Sequence, residues 1–163
     1  MVEFCCGEDS VLGKEEYSTP GCNRVRLTEK VDLTTRAGIE FAKAAVSVEN
    51  CLLWASLPCW QHYNKQFANA RNLMKGHKKL FAKLLSAFEE VAEVAMKHGA
   101  IIVFEWPTGC AWWNKSVVQR FMKKYKMLFV DIHGCSLELK DKDGVPIKKP
   151  WTCLLYTSDA ADE

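Results

Sequence analysis

The chain predicts an α/β fold: a mostly parallel sheet with helices between its strands and an antiparallel hairpin near the C-terminus. Three observations carry this expectation. Leu52 to Leu57 and Ala100 to Phe104 are short, nearly continuous apolar runs, the pattern of strands buried on both faces. Between them, from about Asn69 to His98, Leu73, Leu80, Leu84, Phe88, Val91 and Ala95 recur at threes and fours, which marks a helix with one core stripe. Each apolar run also stops abruptly in polar, aromatic and proline residues, Pro58-Cys59-Trp60-Gln61 and Glu105-Trp106-Pro107, at the strand ends where open parallel sheets bind their ligands.

Length and composition narrow the class. A chain of 163 residues with 48% hydrophobic content holds one full core and is short for two, so a single domain is expected. No apolar run approaches the roughly 20 residues that span a bilayer, and the first residues lack a basic-then-apolar leader; a soluble, intracellular protein is expected, nuclear or cytoplasmic. The eight cysteines are scattered singly or adjacent, with no Cys-x-x-Cys pair, which predicts reduced thiols and no metal site.

The last eleven residues, Cys153 to Glu163, resemble the translation of a sequencing adapter, a foreign segment joined to a natural chain cut short near Thr152. The expected division is therefore one domain over 1–152 and a non-native tail over 153–163. Without Asp159, Asp162 and Glu163 the formal charge rises from +2 to +5, a mildly basic balance that permits a polyanionic partner. By composition Cys153-Leu154-Leu155-Tyr156-Thr157 still imitates a strand.

Taken in order, Val2 to Cys6 is a strand candidate running into Gly7, with Ser10 or Asp9 placed to cap a short helix before Thr19-Pro20-Gly21. Such a turn lets a backbone approach a cofactor, and also serves as an ordinary strand-to-helix connection. Arg24 to Leu27 alternates as a strand with one polar face and ends at Thr28-Glu29. Glu29 and Asp32 are placed to accept ribose or base donors of a nucleotide-like cofactor, or are solvated loop charges. Thr34-Thr35 predicts the cap of a helix from Arg36 to about Val48.

After the central strand, Cys59 is either a small buried cysteine at a turn or a thiol set where chemistry is done. The lysines 75, 78, 79 and 83 of the long helix are a polyanion footprint or a solvated face. Glu105, following four apolar positions, must meet a partner or hold its proton, because an unpaired buried carboxylate is costly. Trp112-Trp113 serve to stack a base or to cover the sheet, Asn114 predicts a helix cap, and Met127 to Ile132 a further strand. Leu137 and Leu139 with the turn Asp141-Lys142-Asp143-Gly144 predict the hairpin.

In element order and in the chemistry at its strand ends, the chain resembles class I methyltransferases that use S-adenosylmethionine, and among them the cytosine-5 DNA methyltransferases. Glu3-Phe4-Cys5-Cys6-Gly7 stands where that family carries Phe-x-Gly-x-Gly, Pro58-Cys59 where it carries the Pro-Cys of its nucleophile, Glu105 where it has Glu-Asn-Val, and Gly144-Val145-Pro146 where it has Gly-Val-Pro-Gln. The resemblance implies a Rossmann-like three-layer sandwich. It assigns Phe4, Gly7, Glu29, Asp32, Ser56 and Pro58 to the cofactor S-adenosylmethionine, Cys59 and Glu105 to catalysis, and Gln61, Lys148 and Lys149 to a nucleic-acid substrate, DNA first.

The implied chemistry is addition of the Cys59 thiolate to carbon 6 of cytosine, with Glu105 at N3 and the base flipped out of any duplex. Ser56-Leu57-Pro58-Cys59-Trp60 is also similar to the Ser-Pro-Pro-aromatic segment of amino-methyltransferases, which need no cysteine nucleophile. A third expectation is a catalytically inert Rossmann-like module of a mobile genetic element.

Overall fold

The computed structural model describes residues 1–12, 14, 20–58 and 70–157. Its elements are β1 Val2–Phe4, β2 Val25–Leu27, α1 Arg36–Val46, β3 Leu52–Ala55, α2 Ala70–Lys97, β4 Ile101–Pro107, α3 Ser116–Lys124, β5 Leu128–His133 and β6 Pro150–Tyr156. They form a six-stranded mixed sheet in the order β2-β1-β3-β4-β6-β5. The first four strands are parallel, and β6 runs antiparallel between β4 and β5.

This order sets the position of the site. The chain leaves β1 for β2 on one side and then crosses back to β3 on the other, so β1 and β3 diverge at a topological switch point. Their carboxyl ends leave a crevice there, because the two connections depart in opposite directions.

Crossover handedness decides what covers each face. Right-handed connections send the β2–β3, β3–β4 and β4–β5 crossings to one side of the sheet and the β1–β2 crossing to the other. The aromatic packing agrees. On the first side Phe88 of α2 lies 5.2 Å from Phe4 and 5.4 Å from Phe104, while Phe121 of α3 lies 5.7 Å from Phe88. Ala42 and Val46 of α1 join the same buried cluster. Glu90 of α2 ties α1 through Arg36 and Lys43, and Lys124 ties α3 to Glu89 and Glu93.

The opposite face carries Glu3, Trp54 and Glu105, the residues that alternate with that core. Among the described residues no helix covers it, and Ser10 reaches back from the 5–24 connection to Glu3; most of the short helix expected before Thr19-Pro20-Gly21 lies outside the described residues. Among the described residues the three α-helices thus lie on one face of the mixed sheet.

Local chemistry explains the boundaries. Thr35 caps α1 by accepting from the Gly38 N–H at 3.2 Å, and Asp32 braces the approach by accepting from the Thr34 N–H and hydroxyl. Gly38 is required there, since a Cβ would stand 2.1 Å from the Asp32 carbonyl oxygen. Gly99 ends α2 in the left-handed region at φ 70°.

Two expectations near the C-terminus are corrected. Asn114 does not cap α3. It ends a 3-10 turn, Ala111–Asn114, and Lys115 takes the cap position without a side-chain bond. The 137–147 hairpin is reduced to one bridge, Lys140 with Pro146, because Gly134–Leu137 winds into a 3-10 turn. Its tip is the expected turn, with Asp141 accepting from the Asp143 and Val145 N–H groups. The antiparallel pairing is instead that of β6 with β4 and β5, and it includes Cys153 to Tyr156 of the adapter-like tail. Leu154 is fully buried in the main core.

Candidate functional site

Two cavities open at the carboxyl ends of the parallel strands, and both are bounded by Cys5, Cys6 and Gly7. The turn that separates them follows from β1. Cys5 leaves the strand at φ 61°, a left-handed conformation that is uncommon for a side-chain-bearing residue and concentrates at functional sites. It swings the chain over the sheet's edge, and at Gly7 nothing lies within 4 Å of where a Cβ would stand.

The smaller cavity, about 390 Å³, lies on the β2 side and is bounded by Gly7, Glu29, Asp32, Pro58, Leu80 and Leu84. Its size is in the range of small-molecule sites. Glu29 is exposed at its rim. The two hydrogen bonds from Thr34 hold the Asp32 carboxyl below the usual aspartate range, its hydroxyl contributing more than its N–H. Asp32 therefore spends one oxygen on the entry to α1.

The larger cavity, about 730 Å³, lies over the face that Glu3 and Glu105 share and brings together Glu3, Trp54, Ser56, Glu105, Lys149 and Trp151. Ser56 extends β3 by one residue, its N–H donating to the Phe4 carbonyl at 3.3 Å, and its hydroxyl bonds the Glu105 carboxyl. Burial pushes the Glu105 carboxyl up, while that hydrogen bond and the Lys149 charge pull it back. The Lys149 ammonium sits 4.7 Å from the Trp151 ring centroid. Trp106 points the other way and is anchored by its indole N–H on the Leu57 carbonyl at 2.6 Å.

The structure thus gathers Gly7, Glu29, Asp32 and Pro58 in one cavity and Ser56, Glu105 and Lys149 in the adjoining one. Phe4 borders the larger cavity, with its ring in the core against Phe88. Lys148 is exposed and bounds neither described cavity. Cys59 and Gln61 lie outside the described residues.

Sequence reasoning missed Glu3, Ser10, Trp54, Trp151 and the thiols of Cys5 and Cys6 as site residues. For Glu3 a signal existed, a single carboxyl between Val2 and Phe4 in an apolar strand. Neither flanking thiol is an activated nucleophile: burial first, then the neighbouring Cys6, pushes Cys5 up to about 12, and burial followed by the Glu3 charge raises Cys6. Among the described residues no three His, Cys, Asp or Glu groups cluster as a metal site, and no helix is long and apolar enough to cross a membrane. Comparison of the chain with protein-family models, with curated proteins and with solved structures returns no match.

Proposed function

We propose that this chain is an S-adenosylmethionine-dependent methyltransferase acting on a nucleic-acid base, cytosine in DNA before others. The observation that carries the reading is the meeting of two cavities at one strained turn over the β1/β3 switch point, one suited to a cofactor and the other holding a buried carboxyl. The open space at Gly7 and the carboxyls of Glu29 and Asp32 fit the donor groups of a nucleoside-type cofactor. Gly7, Glu29, Asp32 and Pro58 would hold S-adenosylmethionine, which when bound supplies an electrophilic sulfonium methyl.

The chain's own residues do the rest. Cys59 adds its thiolate to carbon 6 of the base; as the sulfur–carbon bond forms, the ring's electron pair moves to carbon 5 and Glu105 shares its proton at N3. A carboxyl held up by burial suits that task, and activity that needs the proton falls as pH rises through the raised Glu105 value. Lys149 faces the same cavity as a contact for a base oxygen or phosphate. The Ser56–Glu105 hydrogen bond favours one second reading, in which these two groups accept from an exocyclic amine and no cysteine adduct forms.

Calorimetric titration with S-adenosylmethionine is expected to show one site, weakened about tenfold or more by Glu29→Ala, since a lost charge-assisted hydrogen bond costs about 1.5–3 kcal/mol. Absence of binding to the unaltered chain overturns the proposal. An oligonucleotide containing 5-fluorocytosine then separates the two enzymatic readings: a covalent adduct lost in Cys59→Ser supports the thiol mechanism, and methylation without any adduct supports the amine one.

A further inference from the structure

The two edges of the sheet are guarded differently. β2 is three residues long and carries Arg26, with Arg24 just ahead of it, so its outer edge is short and charged. β5 forms the other edge over six residues, Leu128–His133, with no lysine, arginine or proline among them. Its one carboxylate, Asp131, accepts from the Thr152 hydroxyl of β6 at 2.6 Å and is thereby committed to the chain's own sheet. Among the described residues no strand pairs with the outer side of β5. An edge of that length presents a row of backbone donors and acceptors that another strand can complete.

The side chains say which strand. Phe129 pairs with Leu154 and lies on the side of the helices, 6.5 Å from Trp113, yet it is 58% exposed. Leu128 and Val130 alternate with it on the opposite face and are 51% and 38% exposed. A strand that covers both faces must itself be apolar on both, and β5 of a second copy is such a strand. Laid antiparallel about a two-fold axis normal to the sheet, it brings like faces together.

Charge fixes the register. An axis through Asp131 would set two carboxylates opposite each other, and one through Val130 would set Phe129 against Asp131. An axis through Phe129 mates the two Phe129 residues and sets Leu128 of each copy against Val130 of the other. It also brings Lys126, just ahead of the strand, diagonally next to the other copy's Asp131. The three most exposed apolar residues of β5 are then covered, and opposite charges adjoin.

We propose that β5 is a self-pairing edge that joins two copies of this chain, antiparallel about Phe129, into one continuous sheet. This is independent of methyl transfer, since none of the pairing residues bounds either cavity. Six residues a side is fewer than the roughly 20–30 of a standard stable interface, so monomer and dimer should exchange at about micromolar concentrations. Sedimentation velocity of the full chain across that range is expected to show a concentration-dependent monomer–dimer equilibrium. Phe129→Lys and Phe129→Glu, each placing like charges across the axis, should each weaken it about tenfold or more. An equimolar mixture of the two should associate more tightly than either alone, because lysine then faces glutamate.

A chain that stays monomeric up to about 1 mM overturns the proposal. So does a dimer indifferent to Phe129→Lys, or a mixture that associates no better than its components. Should the variants fail to fold, hydrogen exchange of the unaltered chain decides: the outer-edge amides of β5 are expected to gain protection as concentration rises, and protection that stays constant while dimers form places the contact elsewhere and overturns the assignment. S-adenosylmethionine binding is scored separately, so failure of either proposal is distinguishable from failure of the other.

Discussion

The two faces of this sheet are built from the same strands by alternation, yet they do opposite things. Val2 and Phe4, Leu53 and Ala55, Phe104 and Trp106 face the helices and are fully or almost fully buried. Glu3, Trp54, Ser56 and Glu105, interleaved with them, face the larger cavity. On the first face every group is satisfied by packing, with aromatic rings at 4.7 to 5.7 Å from one another around Phe88, Phe104 and Trp106. On the second the Glu3 carboxyl has a partner, Ser10, for one oxygen only, and the Glu105 carboxyl is held up by burial. A period of two thus divides each strand into residues that stabilise the fold and residues that strain it.

The largest test of this division is Phe88→Ala. Phe88 is fully buried and meets Phe4, Phe104 and Phe121, so its truncation should cost about 3–5 kcal/mol in denaturant unfolding. Trp54→Ala removes a larger side chain from the other face, where it is only half-buried; its cost should be about 1–2 kcal/mol, and a loss equal to that of Phe88 would erase the contrast. The smallest effect has the opposite sign. Because the Glu105 carboxyl is raised, the native state binds its proton more tightly than the unfolded chain, and stability falls as pH climbs from the ordinary glutamate range through the raised value. Glu105→Gln should flatten that slope and leave the protein slightly more stable at neutral pH, measured by thermal unfolding across the same range.

How much of this was legible in the sequence follows from the range of the interactions involved. Leu52–Ala55 and Ala70–Lys97 fall where apolar runs and helical spacing place them, because those patterns are local and strong, while β4 runs three residues past its apolar run because β6 pairs with Glu105, Trp106 and Pro107. Gly7, Glu29 and Asp32 meet in one cavity because strand ends in a parallel sheet converge by topology, whereas Ser56, expected with them, stands in the other cavity beside Glu105. The position of Glu3 was not legible. Its face depends on which way the 5–24 connection crosses, a property of the whole sheet that no window of residues encodes. The hairpin was legible at its tip but not in its arms: Leu137 alternates like a strand yet winds into a 3-10 turn, and the long paired arms are β5 and β6.

The seven residues of β6 are the keystone of that arrangement. β5 reaches the rest of the sheet only through them, by one six-pair ladder to β5 and another to β4. Four of the seven, Cys153 to Tyr156, belong to the adapter-like stretch; Cys153 and Leu154 are buried and Leu155 and Tyr156 half-buried. Without β6, β4 would be left with an unpaired edge and β5 with no partner in the sheet.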